Sequence, residues 1–581
     1  MDSEPVDAVA ALIDARRPDG RRLRELLCLL ADGPADLAEL VRRSALPRKT
    51  VEEMLAAIGG DLAREGGKVA IAARQADAYR KRFGFEQLST TRLADPLGRR
   101  LADADAVAVL RVMEEVIAGT PAARSELDHV QATPETAVRR ALWLDSTYDL
   151  RGAVVLCVGD HDLTSLAVGQ VTPGVRIVVA DIDERILEYI DGWAARLRLD
   201  IRCLVSDFRF WLAEAAAGCA DLVFTDPPYT PEGTTLFTAR ALQGLANKDH
   251  GRVVVAYGYS DRHPSLGLQG QSAASRLGLA AEEQLRAFSR YDGAQAVGSA
   301  SDLYIWRPTS RSWQLLDGVL SEVQTNIYTR GGQSLEGSPQ GEQTGWSAMP
   351  AAVLRVTEDD GFPLRVVAAA GRGAAPGTAA PGTAAPGIAA PGIAAPGTAA
   401  PGTAAGPARI RLGTLLSAGI PAGMTTRTPF AVAADLRADP GAWLLRVLLA
   451  ANADRVVAVV PSGHRDVRDE AGQRALAGLV AQKFTLRFRT GQPDAGSTIV
   501  VATAVSSAAS VASWVLRRAH GKIGNVWRDA LLAADTGEPP LTKRAARAIV
   551  EARASRPDIL SARLIDLPRH QLAGLLDDAL R

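Results

Sequence analysis

Cysteine is nearly absent: Cys28, Cys157, Cys203 and Cys219 are the four in 581 residues, and no pair has Cys-x-x-Cys spacing. That excludes a disulfide framework or a cysteine-rich zinc site, and three of the four sit in apolar runs as small core residues would. Charge of one sign is also missing, since Lys+Arg and Asp+Glu both total 66. No global basic field attracts nucleic acid, so any polyanion site must be local. No uninterrupted apolar run reaches the roughly 18 residues of a membrane span, and Met1 is followed by acids instead of a basic, apolar signal region. A cytoplasmic protein with no membrane partner and no metal is the expectation. With 47% hydrophobic and 23% charged residues, the chain is globular and long enough for two or more cores.

One segment has no side chain able to build a core. Residues 374–403 are six copies of Ala-Ala-Pro-Gly-(Thr or Ile), a linker composition. It divides the chain, and the pattern on either side predicts six regions: 1–95 winged-helix-like, 96–150 a helical connector, 151–310 a Rossmann-like catalytic domain, 311–373 an extension of uncertain structure, 374–407 the linker, and 408–581 a smaller α/β and helical unit. In the first region, Arg21 to Ala31, Asp36 to Ser44 and Pro47 to Ile58 read as helices with helix-turn-helix spacing, followed by a short strand from Lys68. Arg42, Arg43, Arg48 and Lys49 could meet DNA phosphates. Glu52, Glu53, Asp61 and Glu65 interleave acids with them, which favours a structural or homodimer-forming module over DNA binding.

From Val154 the pattern becomes α/β. Val154 to Val158, Arg176 to Ala180, Ile201 to Val205 and Leu222 to Thr225 are short apolar strands, with Val253 to Tyr257 and Leu303 to Trp306 following and helices such as Glu184 to Leu197 and Leu236 to Ala246 between. Such alternation predicts a doubly wound parallel sheet covered on both faces. Beyond residue 408, Phe430 to Ala434, Arg455 to Val460 and Ile499 to Thr503 read as strands, and Trp443 to Ala450 and Gln473 to Ala481 as helices. Asp435, His464 and His520 there look isolated and structural.

The loop after each of the first four strands carries an acid: Asp160 and Asp162, then Asp181 and Asp183, then Asp207, then Asp226. Ligands of open parallel sheets bind outside the carboxyl ends of the strands. An acid after the second strand can accept from both ribose hydroxyls, which nominates Asp181 with Asp183 second, and Asp207 is placed to accept from an adenine amino group. The turn Gly159-Asp160-His161-Asp162 lacks Gly-x-Gly-x-x-Gly, so a nucleoside donor without phosphates fits better than a dinucleotide. A sulfonium nucleoside meets that requirement, and acidic loops would attract it and a cationic amine. Asp160 and Asp162 could alternatively cap the helix that follows. In Asp226-Pro227-Pro228-Tyr229-Thr230 the prolines restrict the backbone, so Asp226 faces a bound amine with little freedom while Tyr229 walls its pocket beside Thr230.

At these residues the chain resembles the branched-chain polyamine synthases, the N(4)-bis(aminopropyl)spermidine synthase family. The resemblance spans roughly the first 310 residues, through Arg124-Ser125-Glu126-Leu127-Asp128-His129, Thr136 to Arg140, Val154 to Ala167 and Asp226 to Leu242. It implies a winged-helix-like domain joined to a class I methyltransferase-type sheet, and transfer of aminopropyl from decarboxylated S-adenosylmethionine to a polyamine. Two positions depart from the family: its Gly-Asp-Asp-Asp turn is here Gly159-Asp160-His161-Asp162, and Tyr229 stands where an acid is common. Asp-Pro-Pro-Tyr instead matches amino-group methyltransferases that use S-adenosylmethionine, which is the second reading. A winged-helix regulator that senses a nucleoside is the third. For either enzyme, Asp226 would orient the amine and stabilise its growing charge, Asp160 and Asp162 would assist, and His161 would accept the proton.

Overall fold

The computed structural model describes residues 4–14, 20–85, 101–322 apart from 149, 151 and 261, then 326–329, 353, 355, 363–369, 407–421, 424, 429–505 and 510–580. The repeat 374–403 lies outside them. Two compact units are present, Met1–Glu336 with Asp566–Pro568, and Gly337–Ile565 with Arg569–Arg581.

The first unit begins with helices α1 (Glu4–Asp14), α2 (Gly20–Asp32), α3 (Leu37–Ser44) and α4 (Arg48–Ile58), the antiparallel hairpin β1 (Leu62–Glu65) and β2 (Lys68–Ile71), and α5 (Ala73–Phe83). Asp36 starts α3 by accepting from the Glu39 N–H at 2.8 Å, satisfying one of the helix's unpaired donors. Leu26, Leu27, Leu30, Leu40, Val51, Met54 and Ile58 are fully buried between these helices. The three arginines at the turn between α3 and α4 have partners within the chain. Arg42 pairs with Asp292 at 3.0 Å, Arg43 with Glu39 at 3.3 Å, and Arg48 with Glu52 at 2.8 Å and with the Gln295 side chain at 3.1 Å.

Next come α6 (Ala104–Ala118), α7 (Pro134–Thr147), β3 (Val154–Val158), α8 (Thr164–Val171), β4 (Arg176–Asp181), α9 (Glu184–Leu197), β5 (Ile201–Val205), β6 (Leu222–Thr225), α10 (Pro231–Gly244), β7 (Arg252–Tyr257), α11 (Pro264–Arg276), β8 (Ala280–Arg290), β9 (Ala300–Arg307) and α12 (Ser310–Glu322). The strands form a seven-stranded sheet in the order β5-β4-β3-β6-β7-β9-β8. Five are parallel, and β9 runs antiparallel between β7 and β8. Numbered within the sheet this is 3-2-1-4-5-7-6, the class I methyltransferase arrangement. The strand order reverses between β3 and β6, so the loops after these two strands diverge and open a crevice.

The central strands lie at the core, with β6 buried at every position and β3 at all but its first; helices cover both faces, so the sequence shows continuous apolar runs. Strand β8 breaks that rule. Ala-Ala-Glu-Glu-Gln is exposed along the sheet's edge, where no alternation is needed, and no strand was expected there. Helix α10 starts at Pro231, ahead of the expected Leu236, because the Thr230 hydroxyl accepts from Gly233 N–H at 2.9 Å and Pro231 fills the first turn.

The second unit contains β10 (Leu364–Ala369), β11 (Ala408–Arg411), α13 (Leu412–Ala418), β12 (Ala431–Asp435), α14 (Trp443–Ala450), β13 (Arg455–Pro461), α15 (Glu470–Val480), β14 (Phe484–Thr490) and β15 (Ser497–Ala504). They make a six-stranded sheet, β11-β10-β12-β13-β15-β14, larger than the three strands expected. Helices α16 (Val511–Leu516), α17 (Ile523–Ala534), α18 (Lys543–Arg553) and α19 (Arg569–Leu580) complete it.

Candidate active site

A cavity of about 400 Å³ opens at the carboxyl ends of β3, β4, β5 and β6. Gly159, Asp160, His161, Asp162, Asp181, Asp207, Asp226, Pro227, Pro228 and Tyr229 all line it. Two nominated residues do not. Asp183 is the N-cap of α9 and accepts from the Arg185 backbone N–H at 3.1 Å and from its guanidinium, which commits it to the helix instead of a ribose. Thr230 likewise caps α10 and donates to the Ile327 carbonyl at 2.6 Å, so its hydroxyl is spent on holding backbone.

The turn after β3 needs Gly159. Its φ is 74°, a left-handed turn that strains any other residue, and a Cβ there would press on the Phe237 ring at 3.3 Å. The turn separates its acids. Asp160 receives the Ser165 N–H at the start of α8, so the capping alternative holds for it. Asp162 turns the other way and accepts from Ala132 N–H at 2.9 Å and from Arg140 at 2.8 Å.

Arg140 is the site's organising residue. It lies on α7, fully buried, with one guanidinium nitrogen 2.8 Å from Asp162 and 3.2 Å from Thr164. The other donates to Asp226 at 2.7 Å and to the Tyr291 hydroxyl at 2.8 Å, and its Nε reaches Ser289 at 3.2 Å. Helix α7 is held for this task by the Thr133 cap and by Thr136, which bonds the Arg290 backbone in both directions. In the sequence Arg140 falls within the stretch Thr136 to Arg140 with no role of its own; a charged residue within the helix run Thr136 to Leu144 is the available signal.

Asp226 is held from three sides. Besides Arg140, Tyr291 donates to it at 2.6 Å and Tyr229 at 3.1 Å, and Ser301 bonds Tyr291 at 2.7 Å. Tyr229 therefore walls the cavity with its ring, while its hydroxyl belongs to the carboxylate network. Tyr291 and Ser301 lie near and on β9, distant in sequence, and nothing local identified them.

Burial sets the protonation pattern. Desolvation, reinforced by the charge of Asp162, raises Asp226 to about 7. Burial also opposes ionisation of Asp162, but the Arg140 guanidinium overrides it and keeps that carboxyl below the usual range. Asp160 is pushed up to about 8 by burial and Asp181 to about 6, against backbone N–H groups that favour their ionised forms. Asp181 accepts from Asp160 N–H at 3.0 Å and Asp183 N–H at 2.8 Å. Asp207 is gripped by the Arg209 fork at 2.8 and 2.6 Å, yet still lines the cavity.

His161 stacks on His129, ring centroids 4.2 Å apart. Burial lowers both imidazoles, His129 to about 3 with help from His161. Both are neutral near pH 7, and neither ring nitrogen of His161 has a hydrogen-bond partner among the described residues. Opposite, the segment Ile327-Tyr328-Thr329 crosses the cavity wall, pinned by Thr230 to Ile327 and by Asp128, which accepts from the Thr329 N–H at 2.7 Å.

The sheet and its strand-end acids define a class I methyltransferase-type domain with an acid-lined pocket. Residues 108–298 match the family described as the branched-chain polyamine synthase A C-terminal domain, and over this segment the resemblance read from the sequence holds. An uncharacterized protein of Methanocaldococcus jannaschii is 31% identical over 208 residues, 36% of this chain and 51% of that protein. The N(4)-bis(aminopropyl)spermidine synthase of the same organism is 31% identical over 159 residues, 27% of this chain and 45% of the enzyme. That of Thermus thermophilus is 35% identical over 125 residues, 22% of this chain and 36% of the enzyme. The chain thus spans about half the length, or less, of these relatives. The branched-chain polyamine synthase of Thermus thermophilus solved with N4-aminopropylspermidine and 5'-methylthioadenosine aligns over 57% of this chain and 98% of its own, with 20% identity and a TM-score of 0.37.

Proposed function

We propose that the first unit is an aminopropyltransferase that moves the aminopropyl group of decarboxylated S-adenosylmethionine onto an amine of a polyamine. The observation that carries this reading is the cavity at the sheet's reversal point, where Asp160 and Asp181 have no cationic partner among the described residues while Asp226 is fixed by Arg140, Tyr229 and Tyr291. The relatives named N(4)-bis(aminopropyl)spermidine synthase support it.

In this reading Asp181 accepts from the ribose hydroxyls and Asp207 from the adenine amino group through its remaining lone pairs. The amine lone pair forms a bond to the propyl carbon attached to sulfur. The carbon–sulfur bond breaks, its electron pair stays on sulfur, and a neutral thioether nucleoside leaves. A positive charge grows on nitrogen as it vanishes from sulfur, and Asp226 stabilises it with Asp162 beside it. His161, neutral and with both ring nitrogens unpartnered among the described residues, takes the proton released by the amine. Most of the acceleration comes from positioning, because no covalent intermediate with the protein is required.

Asp-Pro-Pro-Tyr supports a second reading, methyl transfer from S-adenosylmethionine to an amine. Calorimetry with the two donors separates them. Asp181, which has no cationic partner among the described residues, repels the carboxylate that the decarboxylated donor lacks, so that donor should bind more tightly; tighter binding of the intact donor points to methyl transfer. Asp226→Asn should lower turnover at least about tenfold while nucleoside binding stays measurable. Unchanged turnover would end the assignment of Asp226.

A further inference from the structure

Compared strand for strand, the second sheet repeats the first. The first runs β5-β4-β3-β6-β7-β9-β8 and the second β11-β10-β12-β13-β15-β14. Strand β10 stands where β3 does, β11 where β4 does, then β12 for β6 and β13 for β7, with the hairpin β14–β15 in place of β8–β9. Directions agree at every step. The pairs β10–β11, β10–β12 and β12–β13 are parallel and β13–β15 and β14–β15 antiparallel, as are their counterparts in the first sheet. In both, the last strand is inserted between the two before it, an arrangement that simple addition of strands does not produce. Helices α14 and α15 follow β12 and β13 as α10 and α11 follow β6 and β7. Both β7 and β13 open with Arg-Val-Val, Arg252-Val253-Val254 and Arg455-Val456-Val457.

Two differences bear on function. Among the described residues the second sheet ends at β11, so nothing corresponds to β5, the strand that carries Asp207 at its end. Among the described residues, the acids at the strand ends are also each held within their own unit. Asp435, the counterpart of Asp226, is held by the Arg437 fork at 3.0 and 2.6 Å, and Leu436 replaces the first proline. Asp439 accepts from four successive backbone N–H groups, Gly441 to Leu444, and lies 3.1 Å from buried His464. Asp466 is gripped by Arg569 at 2.7 and 2.5 Å. A ribose needs a carboxylate with lone pairs still free, which the first sheet offers in Asp181 at the end of β4. The matching strand β11 ends in Arg411, and Asp435, Asp439 and Asp466 are each held already.

We infer that the sheet β10–β15 is a second copy of the nucleoside-type sheet, shortened by one strand and closed as a donor site, so that each chain binds one donor and not two. The count of one rests on the reading of the first sheet, whereas the closure of the second does not. The test is titration of the full chain with 5'-methylthioadenosine, by calorimetry and by hydrogen exchange. One equivalent per chain is expected, with exchange slowed in residues 154–229 and unchanged in 431–469, and Asp181→Asn should weaken all of the binding. Two equivalents, slowed exchange in 431–469, or a full-strength equivalent surviving in Asp181→Asn would overturn the inference. Zero equivalents with no protection anywhere would remove the first-sheet reading and leave the second sheet closed as stated.

Discussion

Replacing Arg140 with methionine tests the charge network at its centre. The fully buried guanidinium touches Asp162, Asp226, Tyr291, Thr164 and Ser289 at distances from 2.7 to 3.2 Å. Methionine fills much of the volume but leaves two buried acids without their cation. Removing one side of a buried pair typically costs about 3–5 kcal/mol, mostly the uncompensated charge that remains. For a unit of this size, that corresponds to a fall of roughly 4–7 °C in melting temperature. The pH dependence gives a sharper criterion. In the native protein Asp162 lies below its usual range because Arg140 outweighs burial, so its stabilisation is present above the unfolded value and lost only in strong acid. Without Arg140, burial prevails and Asp162 moves above its unfolded value. Its contribution then exists at low pH and disappears as pH rises. The deficit of Arg140→Met, measured by calorimetry, should therefore be large near pH 8 and shrink toward about pH 5. Adding Asp226→Asn to Arg140→Met should recover part of the loss, since one stranded carboxylate is gone. A deficit below about 1 kcal/mol, or one equal at both pH values, would refute the reasoning.

Three further outcomes are expected. Asp160, Asp181 and Asp226 are raised to about 8, 6 and 7, so they stabilise the fold below their unfolded values near about 4 and withdraw that support as pH rises through 6 to 8. The first unit should thus melt several degrees higher near pH 5.5 than near pH 8.5 by scanning calorimetry, and the opposite order would contradict it. Tyr291→Phe removes the donor to Asp226 and the partner of Ser301, at a cost of about 1–3 kcal/mol and a clear fall in turnover; chemical denaturation and initial rates measure both. In Gly258→Ala, the new Cβ would lie 2.7 Å from the Tyr229 ring and 2.9 Å from the Ala300 carbonyl. That overlap should cost about 1–3 kcal/mol and weaken amine binding more than nucleoside binding, read from the two dissociation constants.

Much of the first sheet was legible because its strands are buried on both faces and advertise themselves as unbroken apolar runs. The same logic explains why β8 was not. Its Glu282, Glu283 and Gln284 lie along an exposed edge with a bulged register, and no apolar pattern is required of them. Asp160, Asp162 and Asp226 could be placed at one end of the sheet because each follows a recognisable strand directly. What could not be read was which acids keep an open face. Asp183 and Thr230 look like site residues in the sequence, and only the helix starts at Glu184 and Pro231 reveal them as caps. The network partners Tyr291 and Ser301 arrive from the far side of the sheet, through a pairing with no local signature. In the second unit Asp435 and His464 seemed isolated for a related reason: Arg437 is close to Asp435, but the Asp439 and Asp466 contacts of His464 depend on how two loops fold together.

Among the described residues, three acids at or beside strand ends bring their own counter-ion. Asp183 with Arg185, Asp207 with Arg209 and Asp435 with Arg437 each form a fork across a single intervening residue, so neutralisation needs no more than a local turn. Asp162 and Asp226 differ, because their cation comes from α7, 22 and 86 residues away. Their charge is balanced only while that helix is docked on the sheet. Any local opening that lifts α7 exposes both acids to water and releases the geometry of Asp226 at the same moment, so the opening of one helix and the loss of the site are a single cooperative event.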